Sequence, residues 1–104
     1  MRAVLILTTT PDLKTARSLA KSLVEKKLAA CVSFTEGFVS FYRWKGKVTN
    51  AREVTLFIKS SKEKFARIKK YIHHVHPYEV PELIALPITE GSSEYLSWLV
   101  QSIK

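Results

Sequence analysis

Two β-rich runs, Phe38 to Trp44 (FVSFYRW) and Val48 to Lys59, face each other across Lys45, Gly46 and Lys47. Aromatic and β-branched residues fill both runs and a short Gly-bearing connection joins them, which predicts a long antiparallel hairpin. The first run reaches back into LAACVSF, interrupted at Glu36 and Gly37. A glycine inside a strand is otherwise a cost, so Gly37 predicts a bulge or bend. A two-stranded ribbon is marginal alone in water, so the rest of the chain must supply the strands and helices that cover this one.

Those elements are legible on either side. Ala3 to Leu7 is a near-continuous apolar run, as for a strand covered on both faces. Thr10 and Pro11 then predict a helix, with Thr10 as N-cap, Pro11 at the first helical position and Asp12 against the positive end of the dipole. Leu13, Ala16, Ala20, Leu23 and Val24 form its apolar stripe, with Arg17, Lys21 and Glu25 outside. After the hairpin, Ser60 and Glu63 match a capping box. Phe65, Ile68, Ile72 and Val75 carry a second helix to about Val75, where Pro77 stops it. Leu83 to Ile88 predicts a fourth strand, placed at an edge or bulge by Pro87. Leu96, Leu99 and Ile103 mark a short last helix with Tyr95 and Trp98 beside its apolar face.

The order βαββαβ plus a terminal helix, with right-handed crossovers, specifies an α+β ferredoxin-like sandwich whose helices cover one face of a four-stranded sheet. In so small a sheet the long hairpin overhangs. Its aromatic residues Phe38, Phe41, Tyr42 and Trp44 would be an association hazard if left bare. The expected cover is another copy of the chain, with Phe41, Tyr42 and Trp44 in the interface.

A length of 104 residues, with 46% apolar and 25% charged residues and no linker-like tract, predicts a single domain over residues 1–104 without tails. Ala3 to Leu7 is shorter than a secretory apolar region, and nothing approaches the roughly 20 apolar residues of a membrane span, so a soluble cytoplasmic protein is expected. Cys31 is the only cysteine, which rules out an intrachain disulfide and agrees with a reducing compartment. Asn50 and Gln101 are the only side-chain amides, a pattern expected of a source that grows hot. The formal charge of +8 favours anions, nucleic acid among them. Lys14, Lys21, Lys26, Lys64 and Lys69, however, fall on the polar faces of predicted helices, where charge means solvation.

The segment HPYEVPE, His76 to Glu82, holds the candidate chemistry. Pro77 and Pro81 make it a stiff, extended connector, with Tyr78 and Val80 expected to anchor it. His76, Glu79 and Glu82 offer imidazole nitrogen and carboxylate oxygen, a donor set that suits Cu(II) or Zn(II). Alternatively, His76 stabilises the helix end, where an imidazolium meets the negative dipole. Cys31 reads either as a thiolate ligand or as a small buried hydrophobe in an alternating strand. His73 and His74 are expected to face solvent, although His73 could share a helical face with His76. No nucleophile motif, phosphate-cradling Gly loop or HExxH is present, so no enzyme is expected.

The segments TTTPD, LVEKKLAACV, SFYRWKGK, IKSS, HPYEVPELIALPI and EYLSWL resemble the successive signature blocks of the CutA divalent-cation tolerance family over nearly the whole chain. The resemblance implies a ferredoxin-like fold, a stable homotrimer in which long hairpins pair between subunits, a cytoplasmic location, and a role in tolerance to copper and other divalent metals. It also favours a ligand role for His76, with weak cation binding at clefts between subunits. Copper-binding bacterial members are associated with a cysteine at the end of the first strand and two adjacent histidines before PY; here Thr8 and Val75 occupy two of those positions and only His76 carries over. Two other functions fit the same fold. A trimeric small-molecule sensor similar to the PII signalling proteins would hold a metabolite in its subunit clefts. An RNA-binding domain is suggested by the RNP1-like echo in EGFVSFY, but Glu36 and Val39 stand where RNP1 requires a basic and a small residue.

Overall fold

The computed structural model describes residues 2–104. Its elements are β1 (Ala3–Thr10), α1 (Leu13–Glu25), β2 (Cys31–Trp44), β3 (Lys47–Ser61), a single 3-10 turn (Lys62–Lys64), α2 (Phe65–Val75), β4 (Ile84–Pro87) and α3 (Ser93–Ser102). The strands form one sheet in the order β2-β3-β1-β4, every pairing antiparallel. This is the ferredoxin-like arrangement that the element order dictates, with Pro87 on an edge strand, where its missing N–H leaves no gap in a ladder.

Strand alternation sorts the side chains. Val4 and Ile6 of β1 and Val54, Leu56 and Ile58 of β3 face the helices, where they meet Ala16, Leu19, Ala20 and Leu23 of α1 and Ile68 and Ile72 of α2. Full burial of a side chain such as Leu56 or Ile58 contributes about 1.5–3 kcal/mol each. α3 packs elsewhere. Its Leu99 and Ile103 meet Ala30 and Ala3, and Ala3 alternates with Val4, so α3 covers one end of the opposite face. Along the rest of that face Ile84 and Leu86 of β4, paired with Leu7 and Leu5, stay exposed.

Two helix starts differ from expectation. The N-cap of α1 is Asp12, whose extended backbone lets Oδ1 accept from the Thr15 N–H at 2.7 Å. That bond holds the Asp12 carboxyl below its ordinary value. Thr10 instead ends β1, and its hydroxyl donates to the Asp12 carbonyl at 3.0 Å. The capping box at Ser60 and Glu63 does not form. β3 runs on to Ser61 because β1 begins opposite it at Ala3, so Ser60 sits in the sheet and its hydroxyl donates to the Leu28 carbonyl.

The hairpin closes on a two-residue turn, Lys45 and Gly46, with both φ angles positive (50° and 80°), the hand that matches strand twist. Below the turn, Gly37 (φ 101°) forms the expected bulge: Thr35 pairs with Thr55, but Phe38 pairs with Glu53. One extra residue in β2 reverses which of its side chains share a face with a given set on β3. The hairpin tip carries the molecule to 44 × 25 × 23 Å.

Candidate functional site

The connector after α2 is fastened to the end of β1 at both ends. His76 caps α2, its N–H donating to the Ile72 carbonyl at 2.8 Å, and its ring is nine-tenths buried. The Tyr78 N–H donates to Nδ1 at 3.0 Å, so Nδ1 carries no proton, and Nε2–H donates to the Thr9 carbonyl at 2.7 Å. The hydrogen bonds thus select the neutral Nε2–H tautomer. At the far end the Thr8 hydroxyl donates to the Glu82 carbonyl at 2.6 Å. Between these ties Pro81 is buried while Val80 is exposed, so the anchors are Tyr78 and Pro81 rather than Tyr78 and Val80.

Beneath the connector lies a carboxylate that the sequence reading did not single out. Glu53 of β3 is only 9% exposed and accepts a hydrogen bond from the Thr9 hydroxyl at 3.1 Å. Burial pushes the Tyr78 phenol above its ordinary value, and the neighbouring Glu53 carboxylate pushes it further. Glu53 shares its face with Thr55 and Phe57 by alternation. The bulge turns the hairpin to meet it: beyond Gly37, Tyr42 and Trp44 pair with Thr49 and Lys47, on the same face as Glu53. A continuous register would have sent Phe41 and Arg43 there instead.

These groups enclose a cleft of about 710 Å³ between hairpin and connector. Tyr42 and Trp44 line one wall, Tyr78, Glu79 and Glu82 the other, and Thr9 and Glu53 are its buried polar members. Three carboxylates line it, and no Lys, Arg or His among the described residues does. In a chain of formal charge +8, it is a locally acidic, aromatic site.

The structure divides the expected ligands. Glu79 and Glu82 border the cleft, whereas His76 turns away from it toward β1 and spends both nitrogens on backbone groups. Cys31 is half-buried at the start of β2, opposite Lys59, with Ser33 Oγ at 4.0 Å from its sulfur. Among the described residues no group of three or more His, Cys, Asp or Glu side chains is placed to hold a metal ion, so His76, Glu79, Glu82 and Cys31 are not assembled as one ligand set. Thr8 is buried and serves as a tie; Val75, His73 and His74 are exposed. Of the expected interface residues, Phe41 is 73% exposed, Tyr42 44% and Trp44 42%. Strand alternation puts Glu53 on the face away from α1 and α2, and no sequence signal marks it as buried there.

Comparison with known proteins places the chain. The family described as CutA1 divalent ion tolerance protein matches residues 4–102. The divalent-cation tolerance protein CutA of Thermus thermophilus is 47% identical over 94 residues, covering 90% of this chain and 91% of that protein. A solved structure of the Thermus thermophilus divalent cation tolerance protein superposes with a TM-score of 0.95 at 43% identity, covering 98% and 99% of the two chains. A structure from Archaeoglobus fulgidus, named a periplasmic divalent cation tolerance protein CutA, gives 0.95 at 37% identity over 98% and 99%.

Proposed function

The chain belongs to the CutA1 divalent ion tolerance protein family, and on that premise we propose that it is a cytoplasmic homotrimer that binds divalent cations, copper among them, weakly at clefts between subunits. The observation that carries the reading is the cleft bordered by Glu79, Glu82 and Glu53, an acidic recess in a basic chain. The bare aromatic tip of the hairpin supports assembly, because a partner subunit would cover it. No helix among the described residues is long and apolar enough to cross a membrane. Binding is weak for two reasons. The carboxylates do not converge as a closed ligand set, and a cation recruiting His76 must first displace Nε2–H from the Thr9 carbonyl.

Titration of the metal-free protein with Cu(II) at neutral pH, comparing wild type, His76→Ala and a Glu79→Gln/Glu82→Gln double variant, tests the reading. The expected result is weak binding, reduced in the double variant. Unchanged binding by an intact double-variant assembly would move the site elsewhere. A second reading, a trimeric small-molecule sensor, is favoured by the cleft's volume and its aromatic wall.

A further inference from the structure

We propose that the cleft between hairpin and connector binds an organic ammonium compound, a small molecule carrying a protonated or quaternary nitrogen on an apolar body. The inference names a ligand class for the small-molecule reading and does not depend on metal binding. It requires that assembly leaves the cleft open, a partner subunit covering only those parts of Tyr42 and Trp44 that face away from it.

The argument starts from Glu53. A carboxylate nine-tenths removed from water is stable when a positive group compensates it. Within the described residues its hydrogen-bond partner is the neutral Thr9 hydroxyl, and the one ion pair is Lys21 with Glu25, far along the chain. A cation entering the cleft would supply the missing compensation. Glu79 and Glu82 add two further carboxylates along the same wall, so the potential in the cleft repels anions and draws cations despite the chain's overall positive charge.

The walls decide which cation. A bare divalent ion needs several oxygen or nitrogen donors converging at about 2.0–2.6 Å, and no such group is present among the described residues. An ammonium group needs no convergence. It is stabilised by carboxylates at mixed distances and by aromatic faces within about 6 Å. Tyr42, Trp44 and Tyr78 supply those rings, and the Lys45 ammonium already lies 6.0 Å from the centroid of Trp44. The volume of about 710 Å³ is that of a small-molecule site and far exceeds what one metal ion needs.

The test uses the full-length assembled protein in an amine-free phosphate buffer, with benzyltrimethylammonium as probe and benzyl alcohol and benzenesulfonate as neutral and anionic analogues. Calorimetry should show one benzyltrimethylammonium bound per chain, at least tenfold more tightly than either analogue, and weakened by added salt. Glu53→Gln should weaken binding at least tenfold. Should that variant fail to fold, the exposed pair Glu79→Gln/Glu82→Gln should cut the preference for the cation over benzyl alcohol several-fold. No binding of the cation, or equal binding of the neutral analogue, overturns the proposal. Loss of Cu(II) binding alone overturns only the metal reading, and Cu(II) binding without ammonium binding overturns only this one.

Discussion

The two halves of the β2–β3 hairpin are built from the same two strands, yet they differ in what covers them. In the stem, Val54, Leu56 and Ile58 lie under α1 and α2 and are buried. In the tip, Phe38, Val39, Phe41, Tyr42, Trp44 and Val48 are as apolar and lie bare. Hydrophobicity is therefore not what separates a covered stretch of strand from a bare one here. The helices end where the bulge begins, and beyond it the apolar residues have no partner within the chain. The stem buries its apolar surface within the chain, and the tip leaves its own bare.

The largest expected effect breaks the stem. Ile58→Ala removes a fully buried side chain from the centre of the sheet and should cost about 2–5 kcal/mol in denaturant unfolding at fixed protein concentration. Val48→Ala, at a position 66% exposed on the tip, should cost far less in a dissociated chain. Comparable losses would erase the distinction between the halves.

The next effect sharpens the tip. On the proposed trimer, Trp44→Asp places a charge on the aromatic surface and should lower the mass seen by light scattering from three times 11.9 kDa toward a single chain, while far-ultraviolet circular dichroism keeps the stem's signature. An unchanged assembly would place Trp44 outside the interface. Unfolding alongside dissociation would mean that the stem also depends on its neighbours.

What could be read beforehand follows the same division. Element order, the bulge at Gly37 and the end of α2 come from local signals such as glycine, proline and helical period, and each holds. The site's chemistry rests on pairings distant in sequence. His76 meets Thr9 across 67 residues, and Thr9 meets Glu53 across 44. No local pattern shows that both nitrogens of His76 are engaged, or that Glu53 is buried, because each depends on how β1, β3 and the connector come together. The α1 cap differs for a smaller reason: Thr10 and Asp12, on either side of Pro11, are both capping residues, and it is the carboxylate that reaches the Thr15 N–H.

Glu53 stands where the halves meet, paired with Phe38 just past the bulge and bonded to Thr9 of β1, so Tyr78 reports on that junction. Its phenol is held above its ordinary value of 10.0 by burial first and by Glu53 second. The folded state thus favours the protonated phenol. This contribution to stability is complete below about pH 10, and it is lost as pH rises from there through the raised folded value. Ultraviolet titration, with Tyr78→Phe subtracted from the parent, should show Tyr78 ionising above the ordinary tyrosine range. Glu53→Gln should bring it part of the way down and leave the burial contribution in place. A Tyr78 that titrates identically with and without the Glu53 charge would separate the two groups, and with them the connector from the floor of the cleft.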